Sequence, residues 1–484
     1  MTQQELEKYL WGAATALRGT IDAGDYKQYI FPLLFFKRIC DVYDEEFQLA
    51  LTESDGDLEY AAFAENHRFV IPEGAHWKDV RETTTNVGMA IQHAMREIEK
   101  ANPDTLEGIF GDASWTNKNR LSDATLINLI EHFSQHTLSL ANVADDKLGN
   151  AYEYLIKEFA DDSGHTAAEF YTNRTVVKLM TKIMDPQPGE SVYDPTCGSG
   201  GLLLNCALHL KEEGKEYRNL KLYGQEINLI TSAIARMNMF MHGIEEFKIV
   251  RGDTLSEPAL LENDQLKTFN VILANPPYSI KSWNRDAFIN DPWGRNIWGT
   301  PPQGCADYAF QQHIQKSLDK NNGRFAILWP HGILFRDAEA EMRRNMIKDD
   351  VIEAVIGVGP NLFYNSPMEA MILVGNNNKP KERKRKILFV DGKNDVVQNK
   401  GQAHLTNENI EKLYQSFVAF ENVEGYSKVV SNDEILDKFS GNLNISFYVK
   451  TENVKTEDIG EIYTDWLAKS ESLKTNIEKL LNGN

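Results

Sequence analysis

Over the first 150 positions, apolar residues recur at three- and four-residue spacing, the period of a helix with one buried face. LEKYLWGAATAL (6–17) and YIFPLLFFKRICDVYDEEF (29–47) show it clearly. ATLINLIEHFSQHTL (124–138) repeats it behind Ser122, a residue type suited to capping a helix N-terminus. The pattern continues from Asn150 to Phe159. From about residue 165 the texture changes to short apolar runs separated by helical stretches. Strands are predicted at Ser191–Tyr193, Lys221–Tyr223, Phe247–Val250, Val271–Ala274, Phe325–Trp329, Val351–Val358 and Ala370–Val374, with Ile387–Val390 as an additional candidate. Helices are predicted from Leu202, through Ala233 to Met241, and over Tyr308–Leu318. This alternation predicts an α/β fold with a parallel sheet covered on both faces, in which ligands bind at the carboxyl ends of strands. From about 455 the helical period returns, over Ile459–Leu467 and Leu473–Leu481. That tail reads either as a packing arm or as a helix that docks on a partner.

Composition adds boundaries rather than a function. The chain has 484 residues, 42 % hydrophobic and 25 % charged, so it can hold two or three domains with at least one large core. No apolar run approaches the roughly 20 residues of a membrane span, and MTQQELEKYLWGAA does not read as a secretory signal. Cys40, Cys197, Cys206 and Cys305 form neither a C-x-x-C pair nor a dense disulfide pattern, which fits a reducing cytoplasm. The formal charge of -20 is wrong for a protein that grips phosphates unaided. Nucleic-acid work would need a local positive groove or a more basic partner. The one dense basic run, KPKERKRK (379–386), reads either as a solvated loop or as a phosphate-contacting one.

The candidate chemistry sits where the predicted strands end. Asp194-Pro195-Thr196-Cys197-Gly198-Ser199-Gly200-Gly201 follows the first strand and opens a helix. Its glycines let the backbone turn sharply and approach a ligand, and the helix N-terminus favours an anionic group. The loop is neither G-x-G-x-x-G nor a phosphate-binding P-loop. Glu226, with Ile227 behind it, lies just past the second strand, where a carboxylate can accept from both hydroxyls of a ribose. Asp253, followed by Thr254, lies just past the third, where it can accept from an adenine amino group. Each alone has a bland reading as a solvated residue or a cap. Three at successive strand ends describe a pocket for an adenosine-containing ligand.

Asn275-Pro276-Pro277-Tyr278 ends the fourth strand. The prolines fix φ and donate no hydrogen bond, so they frame backbone carbonyls rigidly. The Asn275 side-chain oxygen and the Pro276 carbonyl can accept the two hydrogens of one exocyclic amino group, which aims the nitrogen lone pair at an electrophile. Tyr278 offers a face on which a planar base can stack.

DPTCGSGG, GQE, GDT and NPPY, in that order, resemble the S-adenosylmethionine and catalytic motifs of amino methyltransferases acting on adenine N6 in DNA. Glu169-Phe170-Tyr171-Thr172-Asn173-Arg174 resembles the family's F-Y/F-T-P segment, which covers the methionine end of the cofactor; Asn173 stands where the proline is usual. Its place before the glycine motif matches the gamma order of these enzymes. With the helical N-terminal region, NLFYNS (361–366), NLNISFYVK (442–450) and the tail, the whole layout resembles the modification subunit of a type I restriction-modification system.

The resemblance implies a Rossmann-like methyltransferase sheet with a reversed, antiparallel final strand, an N-terminal helical domain (1–150), a catalytic domain (151–450) and a C-terminal helical tail (451–484). It implies S-adenosylmethionine as cofactor and double-stranded DNA as substrate, with no metal. Two modification subunits would join one specificity subunit, which reads the sequence, and a restriction subunit can be added. The target adenine must leave the duplex, and Phe363 would supply a second stacking face or pack in the core. Other acceptors, protein glutamine or guanine N2 in RNA, a stand-alone adenine methyltransferase, and a non-catalytic assembly subunit that merely binds the cofactor are the competing readings; the intact Asn275 clamp argues against the last.

Overall fold

The computed structural model describes residues 1–162, 171–362, 368–398, 403–450, 466, 469 and 470. Five long helices dominate the N-terminal part: α1 (Gln3–Thr15), α2 (Lys27–Glu53), α3 (Val87–Ala101), α4 (Asp123–Phe133) and α5 (Asp145–Asp162). Their starts are encoded locally. Thr2 Oγ1 accepts from Glu5 N–H at 3.3 Å while Glu5 returns the bond to Thr2 N–H at 2.7 Å, a capping box for α1. Ser122 caps α4 as predicted, accepting from Thr125 N–H at 3.2 Å.

Helix α2 is buried all round from Tyr29 to Val42. Its charges therefore need partners. Arg38 donates to Val143 O at 2.9 Å and to Asp145 at 2.7 Å, and Asp41 accepts from Leu138 N–H at 2.6 Å. Helix α5 runs without a break through residue 150. Its Tyr152, Leu155, Ile156 and Phe159 share one core with the N-terminal helices and with Ala233, Ile234, Met237 and Met241 further along the chain.

Beyond α5 the chain winds a nine-stranded sheet among the described residues, in the order β9-β8-β6-β7-β5-β4-β1-β2-β3. The strands are β1 (Ser191–Asp194), β2 (Lys221–Glu226), β3 (Phe247–Arg251), β4 (Val271–Ala274), β5 (Arg324–Pro330), β6 (Ile352–Val358), β7 (Ala370–Asn376), β8 (Lys386–Gly392) and β9 (Ser427–Ser431). All eight predicted strands are present. Strands β1 to β5 pair in parallel. The reversed strand that the resemblance implies is β7, antiparallel to both β5 and β6. The sheet does not stop at β6: β8 adds in parallel and β9 closes the edge antiparallel.

Helices cover both faces: α6 (Arg174–Met184), α7 (Gly201–Glu212), α8 (Leu229–Met241), α9 (Asp307–Lys316), α10 (Ala340–Lys348), α11 (Asn407–Ala419) and α12 (Asn432–Phe439). Alternate residues of β4 show why its run is wholly apolar. Val271 and Leu273 join the core formed with α6, α7 and α11, while Ile272 and Ala274 join the core formed with α9 and α10. Among the described residues no helix is long and apolar enough to cross a membrane. The predicted tail helices fall outside the described residues, apart from Trp466.

Candidate functional site

The parallel part of the sheet brings the candidate residues to one edge. Asp194 ends β1, Glu226 ends β2, Asp253 follows β3 and Asn275 follows β4. These strands are adjacent in the order β4-β1-β2-β3. At about 4.8 Å per strand interval, the row spans about 14 Å, the reach of an extended nucleoside conjugate rather than of a small metabolite.

Gly200, at φ +79°, makes the left-handed turn into α7, and its N–H donates to Cys197 O at 2.7 Å. A Cβ on Gly201 would lie 1.6 Å from Arg174 Nη1, so this position must be glycine for Arg174 to cross it. The loop is tied to the ends of β2 and β3. Gly198 N–H donates to Glu226 Oε2 at 3.0 Å, and Thr254 Oγ1 donates to Pro195 O. Asn238 of α8 donates at 3.1 Å to Ser199 O and at 3.1 Å to Glu153 of α5. Glu153 also pairs with Arg174. A helix of the N-terminal core thus holds the glycine loop, a link that sequence reasoning missed because Glu153 lies in a run read only for its apolar period.

Thr172, Arg174, Asp194, Thr196, Gly198 and Asn275 are among the residues lining a cleft beside this loop. The Asp194 carboxyl is buried, and burial pushes its pKa up to about 8; the nearby Glu226 charge raises it too, against the Thr196 N–H that donates to it at 3.0 Å. A buried acid facing a polar cleft suits a cationic ligand group, which would favour its ionised form. Arg174 stacks over Tyr171 at 4.8 Å, and among the described residues its buried Nε and Nη1 have no hydrogen-bond partner. Such donors suit an anionic group. The lining therefore matches, in charge, the two ends of an amino-acid moiety.

Other predicted residues land differently. Glu226 Oε1 accepts from Asn228 N–H at 2.9 Å, so this carboxylate also organises the turn into α8. Ile227 is 63 % exposed beside it. Asp253 caps its own loop, accepting from Leu255 N–H at 3.0 Å and Ser256 Oγ at 2.8 Å. Arg295, fully buried, pairs with Asp291 and donates to Thr254 O at 2.8 Å and Leu255 O at 2.7 Å, fixing that loop from below. No motif marks Arg295 in the sequence. Glu169, Phe170 and Phe363 lie outside the described residues.

Asn173 is not brought into the cleft. Its Oδ1 accepts from Thr175 N–H at 3.0 Å, capping α6, and its Nδ2 donates to Ala403 O at 2.9 Å. It does a cap's work at the position where the F-Y/F-T-P pattern has proline, and it anchors the segment leading into α11. Asn173→Ala is expected to lower unfolding free energy by about 1–2 kcal/mol, from the lost cap and the lost bond; the denaturant midpoint measures it.

In the Asn-Pro-Pro-Tyr step, Asn275 Nδ2 donates to Thr172 Oγ1 at 3.0 Å. The Tyr278 hydroxyl donates to Asn275 Oδ1 and lies 3.5 Å from Leu328 O. The tyrosine is half-buried, with its ring 6.1 Å from Trp329. The sequence reading made Tyr278 an exposed face and the Asn275 oxygen an open acceptor. The structure instead pairs the two side chains with each other.

The basic run 379–386 is part held in the fold and part exposed, with Lys381, Lys384, Arg385 and Lys386 at the surface. Lys379 is buried on Asp350 and the carbonyls of Ile352 and Lys386. Arg383 pairs with Glu353, and Arg385 with Asp433. Lys379 and Arg383 thus tie the start of β8 to β6 and its flanks.

Residues 143–457 match the family N-6 DNA Methylase, and residues 6–133 match the HsdM N-terminal domain. The chain is 32 % identical to the type I restriction enzyme MjaVIII methylase subunit of Methanocaldococcus jannaschii, over 94 % of this chain and 82 % of that one. It is 29 % identical to the MpnII methylase subunit of Mycoplasma pneumoniae, over 98 % and 95 %. The crystal structure of a type I restriction-modification methyltransferase subunit from Streptococcus thermophilus superposes with a TM-score of 0.79 at 30 % identity, covering 93 % of this chain and 100 % of that one.

Proposed function

Because this chain belongs to the N-6 DNA methylase family, we propose that it methylates adenine N6 in double-stranded DNA as the modification subunit of a type I restriction-modification complex. The observation that carries this reading is the alignment of Asp194, Glu226, Asp253 and Asn275 along one edge of four adjacent parallel strands. Relatives of matching length are type I methylase subunits, and both parts of the chain match the corresponding families.

The cofactor is S-adenosylmethionine, whose sulfonium supplies an electrophilic methyl group. Asp194 and Arg174 hold the amino-acid end, with Tyr171 and Thr172 beside them. Thr196 and the glycine loop back it, Glu226 takes the ribose hydroxyls and Asp253 the adenine amino group. Asn275 Oδ1 and the Pro276 carbonyl accept the two hydrogens of the target N6, and Tyr278 stacks on the extruded base. That extrusion costs unstacking and unpairing energy. The formal charge of -20 fits delegation of DNA reading to a specificity subunit, two modification subunits to one, with a restriction subunit completing the complex. Residues 1–150 serve partner and DNA contact, 151–450 catalysis, and 451–484 docking.

The Tyr278–Asn275 bond has a consequence. Burial raises the Tyr278 phenol pKa well above its usual value, so the hydroxyl stays protonated and remains a donor. It takes one of the two acceptor positions of Asn275 Oδ1 and so competes with an adenine amino group for that oxygen. Tyr278→Phe is therefore expected to keep the methylation rate and to lower KM for DNA, whereas Tyr278→Ala raises that KM and leaves cofactor affinity unchanged. Steady-state kinetics with each substrate varied distinguish these outcomes. A tenfold loss of rate in Tyr278→Phe would assign the hydroxyl a catalytic part.

Mass spectrometry of the methylated product tests the function itself. N6-methyladenine in DNA supports it. Methylated glutamine or N2-methylguanine would keep the amino clamp and change the substrate.

A further inference from the structure

Ser279, immediately after the Asn-Pro-Pro-Tyr step, has φ +52°, a left-handed conformation that non-glycine residues adopt rarely. Something must hold it there. Its N–H donates to Asp307 Oδ1 at 2.6 Å. Asp307 is the first residue of α9, and its side chain is wholly buried. Arg336 Nη2 donates to its other oxygen, Oδ2, at 2.5 Å. Arg336 is itself held by Glu339, with bonds of 2.7 Å to Oε2 and 3.0 Å to Oε1, and the Glu339 side chain is also buried. A backbone bond from Ala306 N–H to Ile280 O, 3.2 Å, closes the same junction. Cys305, Asp307 and Glu339 approach one another closely enough to suggest a metal, but the Arg336 guanidinium already answers both carboxylates.

We propose that Asp307 is a positioning residue for the base clamp. Buttressed by Arg336 and Glu339, it holds Ser279 left-handed, and that turn fixes where the Tyr278 ring stands beside Asn275, ready to stack on a base. The inference rests on the reading of 275–278 as the clamp. Asp307 touches neither substrate nor cofactor in this scheme, and it lies outside the strand-end row that forms the cofactor cleft. Its loss should therefore reach the methyl-transfer step without reaching cofactor binding.

The test uses the assembled modification complex with Asp307→Ala, Ser279→Gly, the double variant, and Ser279→Val. Asp307→Ala is expected to lower kcat about 100-fold, the scale of a clamp displaced by about an ångström, with the Kd for S-adenosylmethionine changed less than about twofold. Adding Ser279→Gly is expected to recover at least about tenfold of that loss, because glycine takes φ +52° unaided. A merely structural Asp307 would instead lower melting temperature and cofactor affinity together, with no recovery from glycine, and that result overturns the proposal. Should Asp307→Ala not fold, Ser279→Val, an exposed substitution that disfavours the left-handed turn, is expected to lower kcat with cofactor affinity intact. Full activity of Ser279→Val would equally overturn it. Asn275→Ala measured alongside separates the two claims. An inactive Asn275→Ala beside a fully active Asp307→Ala removes only this inference, while an active Asn275→Ala removes the clamp.

Discussion

Asn275→Ala is expected to reduce N6-methyladenine formation by at least about 100-fold, the scale seen when one preorganised hydrogen-bonding group is lost from a reacting centre. Asn275 follows the fully buried strand β4, and Thr172 fixes its amide nitrogen at 3.0 Å. Its oxygen is thereby directed to accept, and the Tyr278 hydroxyl currently uses it. Alanine removes the acceptor and leaves the strand intact, so binding of S-adenosylmethionine should persist. Asn275→Asp keeps an acceptor but lacks the donor to Thr172 and adds a charge, so it is expected to retain measurable activity. A single-turnover assay reads the chemical step directly. An unchanged rate in Asn275→Ala would mean that N6 is not held here.

The second large effect belongs to Asp194. With burial raising its pKa to about 8, the folded protein keeps this acid protonated where an unfolded chain, titrating near pH 4, has lost the proton. Between those values the unfolded state binds fewer protons, so this group's contribution to stability falls as pH rises. A cationic amino group bound beside Asp194 would favour the carboxylate. Binding of S-adenosylmethionine should therefore release a proton below pH 8 and release none well above it. Calorimetry in buffers of different ionisation enthalpy measures that proton. Asp194→Asn is expected to abolish the proton release, to weaken cofactor affinity by at least about tenfold, the scale of one lost charge-assisted bond, and to flatten the loss of stability toward high pH. Unchanged affinity would place the amino group elsewhere.

The residues that carry these predictions were legible because strand ends punctuate the sequence. Asp194, Glu226, Asp253 and Asn275 each follow a short apolar run, and the runs are apolar because both faces of the sheet are covered. Other features were not legible, for physical reasons. Strand β9, SKVVS, is an edge strand with only part of its length buried, so its pattern resembles a loop. The direction of β7 depends on which neighbours it pairs with, and a run of buried apolar residues carries no direction. Helices α10, α11 and α12 present narrow apolar stripes among many charges. Asp307, Arg295 and Glu153 act through contacts 28, 40 and 85 residues away, to Ser279, Leu255 and Asn238, and no local pattern marks such pairs. The pairing of Tyr278 with Asn275 was missed for a different reason: the motif names both residues but not the rotamer that joins them.

Comparison of methyl transfer with and without a specificity subunit tests the central claim most directly. The tagged chain would be purified from its native host with whatever accompanies it, then assayed alone and in complex, with labelled S-adenosylmethionine and unmethylated DNA. The account predicts N6-methyladenine at one defined sequence when the specificity subunit is present, and none when the chain acts alone. Sequence-specific methylation by the chain alone would contradict the delegation of target recognition, and label appearing only in protein or RNA would contradict the assigned substrate.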